Sequence, residues 1–267
     1  MDRSDLANRM KDYEKRNRYY LQKRMPVILR LDSRAGHTFT RGFKRPFDEI
    51  FIQSMQETTK YLCENIQGCV LAYTQSDEIT LALVDYKTLN SDAWFDYRTD
   101  KMTSIAAGMA TLQFNRIFKE KAEEFINNHS NDKLCDMYLK AINLGLVFDC
   151  RAFNLPKEEV TNNFYWRQLD CSRNSVQMVG QANFSHKELQ NKTCNMIQDM
   201  LMTQKGINWN DLPTYQKRGT CVIKESYVDT SLNSTDSESV RTRWIIDTEI
   251  PQFKGEGREY IEKLINV

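Results

Sequence analysis

No C-x-x-C pair occurs in this sequence, and its seven cysteines (Cys63, Cys69, Cys135, Cys150, Cys171, Cys194 and Cys221) are odd in number. That pattern argues against a disulfide framework or a cysteine-based zinc site, and for a reducing compartment. Histidine is scarce: His37, His129 and His186 lie far apart, which disfavours a histidine-rich metal centre. Neither a Walker loop nor a G-x-G-x-x-G is present, so bound phosphates have no glycine-rich cradle. Excess charge is missing too. Lys and Arg total 37 against 36 Asp and Glu, so a nucleic-acid surface must be a local patch. No apolar run approaches membrane-spanning length, and the polar, charged N-terminus carries no signal peptide. The expectation is a soluble, cytoplasmic protein of one large domain or two small ones.

What is present centres on Val70–Val84, V-L-A-Y-T-Q-S-D-E-I-T-L-A-L-V. Two apolar, partly alternating runs flank a polar break at Gln75–Glu78, the signature of a β-hairpin. Asp77 and Glu78 are adjacent carboxylates at that break, and a site that keeps both ionised needs a compensating cation. A solvated acidic turn is the plain alternative. Asp32, a lone acid ending the apolar strand Pro26–Leu31, changes the balance if the fold brings it to Asp77.

The order of elements says that it does. Ser4–Gln22 reads as a helix, with Leu6, Met10, Tyr13 and Tyr20 near one face and Lys11, Lys15, Arg16 and Arg18 around it. Basic residues among tyrosines suit RNA, although Asp12 and Glu14 dilute the patch. After the first strand come a polar loop, Ser33–Pro46, and a helix, Phe47–Ile66, with Asp48 as a cap and Gly68 as terminator. The hairpin supplies strands two and three, and Asp85–Ala93 is a loop. Thr99–Glu120 is a helix with Ile105, Ala106, Met109 and Ala110 set for close packing. Residues 121–145 are charged and mixed, and Leu146–Leu155 is a fourth strand. This β-α-β-β-α-β order is the split βαβ arrangement of an α+β, palm-like fold, with sheet order 4-1-3-2. Strand three then lies antiparallel beside strand one, and Asp32 meets Asp77 at one sheet edge.

Three regions follow: 1–155, the palm-like catalytic region with its N-terminal helix; 156–228, an extension of the same domain; and 229–267, a loop and C-terminal extension without an assigned role. Lys157 to about Gln204 reads as helical, with Gly206 as terminator. Leu212–Val228 holds a turn and a strand-like run, Asp229–Ser239 a polar loop, Trp244–Ile250 a strand and Gly257–Ile265 a helix.

Carboxylates from two strands beside arginines and lysines describe a magnesium site for phosphoryl or nucleotidyl transfer. Mg²⁺ takes hard oxygen ligands and completes its shell with water and substrate phosphates, and two ions can clamp the attacking and leaving oxygens. Arg30, Arg34, Arg45, Arg98 and Lys101 supply the cations.

The chain resembles the tRNA-histidine guanylyltransferases and their relatives that repair tRNA 5′ ends. The pieces that carry the resemblance are V-I-L-R-L-D-S-R (27–34), Y-T-Q-S-D-E (73–78), W-F-x-x-R-x-x-K (94–101), F-D-C-R (148–151), W-R-Q-L-D-C (166–171) and L-P-T-Y-Q-K-R-G-T (212–220). The resemblance implies a palm-like 3′-to-5′ polymerase that uses Mg²⁺, ATP or GTP as activating nucleotide, and tRNA, and that assembles as a homo-tetramer. It implies metal ligation by Asp32, Asp77 and the Ser33 carbonyl, where the family has glycine, with Glu78 as a third catalytic acid. It places the nucleotide on Arg30, Ser33, Arg34, His37, Arg45, Ser76, Arg98 and Lys101, and the RNA on Lys15, Arg16, Lys217 and Arg218. One block departs from the family. Where guanylyltransferases proper carry H-I-N-N-L-Y-N, this chain reads Ser172-Arg173-Asn174-Ser175-Val176-Gln177-Met178. The missing histidine leans towards the template-directed repair branch.

Two rivals remain at this stage. A nucleotide cyclase uses a similar palm, but the hairpin reads Q-S-D-E and not G-G-D-E-F. A non-catalytic RNA-binding module of split βαβ type needs aromatics and no acids on its sheet.

Overall fold

The computed structural model describes residues 4–129, 132–229 and 239–266. Helix α1 (Asp5–Lys15) is capped by Ser4, whose side chain accepts from the Ala7 N–H. It stops short of the expected Gln22 because the following backbone finds partners elsewhere. Leu21 N donates to Tyr97 O (3.0 Å) and Thr99 N to Tyr19 O (2.9 Å). Strand β1 (Val27–Arg34) extends beyond the expected Leu31, so Asp32 and Ser33 lie inside it. The segment read as a loop carries a short helix, α2 (Gly36–Phe39).

Helix α3 (Glu49–Asn65) starts at the expected cap. Asp48 is buried and accepts from Phe51 N (3.0 Å), Lys44 N (3.1 Å) and the Tyr138 hydroxyl (2.8 Å). Gly68, at φ 80°, turns the chain into β2; a Cβ there would stand 2.9 Å from Val84 O. Strands β2 (Cys69–Gln75) and β3 (Glu78–Leu83) form the hairpin, with Ser76 (φ 49°) opening its two-residue connection.

Helix α4 (Thr99–Asn128) outruns the expected Glu120, and α5 (Lys133–Leu144) occupies the stretch read as mixed. The buried stripe of α4 is Met102, Ala106, Ala110, Phe114 and Phe118, whereas the expected Ile105 is exposed. Strand β4 (Val147–Asn154) follows. The long helical region is divided into α6 (Lys157–Asn183), α7 (His186–Leu189) and α8 (Cys194–Lys205), then the short α9 (Thr214–Arg218). Strands β5 (Thr220–Asp229) and β6 (Ser239–Asp247) precede α10 (Glu259–Ile265). The last strand thus begins and ends earlier than the expected Trp244–Ile250. The expected loop at Asp229–Ser239 lies outside the described residues apart from its two ends.

The sheet order is β4-β1-β3-β2-β5-β6, which contains the expected 4-1-3-2. Antiparallel register sets Asp32 opposite Glu78 on β3 and opposite Asp149 on β4. One face packs on α3, α4 and α5 through Leu29, Leu31, Ile79, Leu81 and an aromatic cluster that includes Phe39, Phe43, Phe51, Phe114 and Phe118. On the other face Ile28, Tyr73 and Ala82 meet Phe164 of α6 and Phe253, Ile261 and Ile265 near the C-terminus. Each such buried side chain contributes roughly 1.5–3 kcal/mol relative to exposure. Within 229–267, expected as an extension, β6 therefore completes the sheet, and Phe253 with α10 completes its second core. No helix among the described residues is long and apolar enough to cross a membrane.

Candidate active site

The acids converge where the hairpin turn abuts β1. Ser33 N donates to Asp77 O (3.2 Å), and Ser33 Oγ donates to Asp77 Oδ2 at 2.5 Å. Ser76 Oγ donates to the other oxygen, Oδ1, at 3.2 Å. Serine fits the family's glycine position because Ser33 lies in β-strand backbone; the left-handed residue is Ala35, at φ 60°. Gly36 leaves the space the turn needs, since a Cβ there would collide with Asp77 Oδ2 and Ser33 Oγ.

Among the described residues Asp32 has no hydrogen-bond or ion-pair partner. Burial first, then the charge of Asp77, push its carboxyl above the usual range; Arg30 pulls the other way, and Asp149 adds to the rise. This is a pair of hard oxygen ligands short of positive charge, and it fits a divalent cation. Among the described residues no three His, Cys, Asp or Glu side chains form a ready cage. A cation here would rest on Asp32, Asp77 and the Ser33 carbonyl, and take its remaining ligands from phosphate and water.

Glu78 is paired. Arg167 Nε and Nη2 donate to its two oxygens, each at 2.7 Å, and Arg167 also donates to Asp170 at 2.8 Å. Arg30 Nε stands 4.0 Å from Glu78 Oε2. Burial pushes the Glu78 carboxyl up, and the Arg167 and Arg30 guanidinium groups pull it back. The third acid is thus committed to a buried bidentate ion pair in this structure. Arg167 lies in the W-R-Q-L-D-C piece without an assignment from sequence. Its i, i+3 spacing to Asp170 on a helix was the available signal.

Beside the acids opens a cavity of about 410 Å³, within the range of small-molecule sites. Asp77, Ser76 and Gly36 stand at one end, His37, Arg41, Lys44 and Arg45 contribute positive or titratable groups, and Phe47, Phe51, Met55 and Met178 give apolar wall. Arg41 and Lys44 were not singled out from sequence. Helix α6 presents Cys171, Asn174, Ser175, Met178 and Gln181 to the cavity at helical spacing. Ser172 points elsewhere: its hydroxyl donates to Lys217 O at 2.9 Å and ties α6 to α9.

The other expected residues divide. Arg30 lies on β1 with its buried Nε unpaired and its guanidinium 5.8 Å from the Trp166 ring centroid. Arg34 is exposed at the end of β1. Arg98 and Lys101 are not with the acids. Arg98 follows three left-handed residues, Phe95, Asp96 and Tyr97, and bridges Tyr20. That places it beside the N-terminal end of β1, opposite Asp32. Arg98 Nε lies 3.0 Å from Asp100, and Lys101 Nζ lies 4.4 Å from the Phe95 ring centroid. Lys15 pairs with Asp12 at 3.7 Å and Arg16 lies over Tyr13. Lys217 Nζ donates to Asn210 O, and Arg218 O accepts from the Tyr73 hydroxyl at 2.6 Å.

A split βαβ sheet with paired acids at a strand edge, beside a cavity with a basic rim, defines a palm-type nucleotidyltransferase. Residues 7–156 match the Thg1 family, tRNAHis guanylyltransferase. The chain belongs to that family. A solved bacterial tRNA(His) guanylyltransferase (Thg1)-like protein in complex with ATP is 41% identical, with a TM-score of 0.82, over 98% of this chain and 99% of that one. A bacterial Thg1-like protein in complex with GTP is 38% identical with a TM-score of 0.77, over 99% of this chain and 100% of that one. The probable tRNA(His) guanylyltransferase of Dictyostelium discoideum is 24% identical over 77% of each chain.

Proposed function

We propose that this nucleotidyltransferase adds nucleotides in the 3′-to-5′ direction to the 5′ end of tRNA, as a template-directed repair enzyme dependent on Mg²⁺. The carrying observation is the unneutralised pair Asp32 and Asp77 beside a cavity rimmed by Arg41, Lys44 and Arg45. Asp32, Asp77 and the Ser33 carbonyl would hold Mg²⁺, which when bound stabilises charge on phosphate oxygens. Ser76 at the turn and Arg45 at the rim bind the triphosphate, while His37 packs near the base. ATP or GTP activates a 5′-phosphorylated RNA end; both nucleotides occupy the bacterial relatives. Activation joins the nucleoside monophosphate to the RNA 5′-phosphate and releases pyrophosphate; the 3′-hydroxyl of an incoming nucleoside triphosphate then attacks the RNA 5′-phosphate, gives up its proton and expels the nucleoside monophosphate.

Template direction is favoured over recognition of one tRNA by the replaced histidine block. Ser172, where guanylyltransferases proper have histidine, spends its hydroxyl on Lys217 O and offers no switchable charge. Pairing with the opposite strand is left to choose the nucleotide. Lys15, Arg16, Lys217 and Arg218 are assigned to the RNA backbone, where they add salt-dependent affinity.

Arg98 and Lys101 grip a triphosphate in this reading. They lie at the far end of the sheet from Asp32, so in this reading a second copy of the chain in a homo-oligomer brings them to the acids. The test offers 5′-truncated tRNAs of several acceptor types, each with a different base opposite the gap, with Mg²⁺, ATP and all four triphosphates. The added nucleotide is expected to follow the opposing base in each. Addition of G opposite a non-pairing A, confined to histidine tRNA, would return the chain to the guanylyltransferases proper; Mg²⁺-independent RNA binding without extension would make it a binding module.

A further inference from the structure

Gln75 is the last residue of β2, one position before the turn that carries Ser76 and Asp77, and it lines the cavity. It is 6% exposed, and its Oε1 is sealed from solvent without a hydrogen-bond partner. A buried amide left unpaired is disfavoured, and such a group persists where a ligand completes it. The other buried polar side chains lining the cavity are already committed. Gln56 Nε2 donates to Thr220 Oγ1 at 2.9 Å, Ser175 Oγ accepts from Trp209 Nε1 at 2.9 Å, and Tyr215 donates to Glu49 at 3.1 Å. Asp48 is saturated by its cap, the Lys44 N–H and Tyr138. Gln75 is the buried cavity amide left to meet a ligand, and because its Oε1 is covered in this structure the amide must turn about its terminal torsion to present both groups.

We propose that Gln75 reads the purine of the activating nucleotide and serves adenine and guanine alike. This rests on the reading of the cavity as a nucleoside triphosphate site. The phosphates belong with Asp77, Ser76 and the basic rim, so the apolar wall of Phe47, Phe51 and Met55 receives the base. Adenine presents an amino donor beside a ring acceptor; guanine presents a carbonyl acceptor beside a ring N–H. A carboxamide has one acceptor and two donors, and half a turn about its terminal torsion exchanges them. One glutamine therefore pairs twice with either base. A hydroxyl can reverse but pairs through a single atom, and a lysine only donates.

The test measures binding of ATP, GTP and purine riboside 5′-triphosphate, which lacks the exocyclic group, to the full chain with Mg²⁺. The unmodified protein is expected to bind ATP and GTP within a few-fold of each other and the analogue about tenfold more weakly, the worth of one paired amide group. Gln75→Leu should bring ATP and GTP down about tenfold while the analogue changes by less than about threefold. Gln75→Glu should favour GTP over ATP by about tenfold, because a carboxylate only accepts and guanine alone presents two adjacent donors. Equal losses for all three nucleotides, or none, overturn the assignment. If Gln75→Leu fails to fold, the unmodified protein decides: analogue binding as tight as ATP refutes the role. Failure to bind any of the three overturns the nucleotide-site reading itself, an outcome distinct from binding all three equally.

Discussion

The two ends of the β1–β3 ladder are built to opposite standards. At the Val27–Leu83 end a dense set of hydrogen bonds around Arg24, Asp85 and Asn154 closes the sheet, although the Tyr97 hydroxyl and Arg98 Nε are buried there without one. The Arg24 N–H donates to both Asp85 oxygens (2.9 and 3.0 Å), and its guanidinium donates to the carbonyls of Asp85, Thr88 and Leu89 at 2.9, 3.3 and 3.0 Å. Asn154 closes the same end with hydrogen bonds to Gln22 and Pro26. At the Asp32–Glu78 end, a few residues along the same strands, the Asp32 carboxylate is unpaired, Gln75 Oε1 is buried without a hydrogen bond, and Arg30 Nε has only a long 4.0 Å approach to Glu78. One end is finished largely by the chain itself. The other, apart from the Arg167–Glu78 pair and the serine bonds to Asp77, leaves charged and amide groups for a ligand to complete, and local conflict of this kind marks a functional edge.

The sharpest way to break that comparison is to remove an acid from the unfinished end. Asp32→Ala or Asp77→Ala should abolish nucleotide addition, a loss of about 10³-fold or more, while circular dichroism and melting stay near the unmodified protein. A variant that keeps full activity would end the metal-site reading.

Next in size is the one finished element at the unfinished end. Arg167 and Glu78 are 8% and 7% exposed, so Arg167→Ala leaves an uncompensated buried carboxylate and should cost about 3–5 kcal/mol in urea unfolding. Replacing both residues by apolar ones of similar volume should recover much of that loss. If Arg167→Ala costs under about 1 kcal/mol, the pair is solvated and Glu78 is available for chemistry after all.

The contrast also sets a distance problem for Arg98 and Lys101. Each removed cation should lower the rate about 10²–10³-fold if it grips a triphosphate. Neither shares an end with the acids of its own chain, so the two classes of mutant should complement one another. Mixing Asp77→Ala and Arg98→Ala chains should restore up to about a quarter of the active sites if two copies build each one. No recovery would place the two residues outside the reaction or inside a single chain's site.

The same contrast explains what the sequence disclosed. Sheet order and the meeting of Asp32 with Asp77 followed from element order, because hydrophobic periodicity and connection handedness constrain both. Helix ends were legible where a cap or a glycine marks them, as at Asp48 and Gly68. They were not at Gln22, where backbone partners came from Tyr97 and Thr99, distant in sequence. The ion pair of Glu78 was hidden for a similar reason: its partner, Arg167, is 89 residues away. Gln75 went unassigned because an orphaned atom becomes visible only once all its neighbours are placed.

The smallest expected effect is the most direct reading of the unfinished end. Asp32 has its carboxyl raised by burial and by Asp77, so its native pKa exceeds its unfolded value near the ordinary 3.8. For an acid shifted upward, the unfolded state releases its proton more readily, and deprotonation works against the fold. The metal-free protein should therefore lose stability as pH rises through the native pKa of Asp32, and regain it as pH falls towards the ordinary value. Asp32→Asn removes that charge and nearly preserves shape. It should raise the melting temperature of the metal-free protein at pH 7 by about one to a few degrees and flatten this part of the pH profile, even as nucleotide addition is lost. Asp85→Asn at the finished end is the control: both its carboxylate oxygens accept from the Arg24 backbone N–H, so the same change should lower the melting temperature. Matching downward shifts in both variants would mean that Asp32 is held by partners as good as those of Asp85, and the difference between the two ends would disappear.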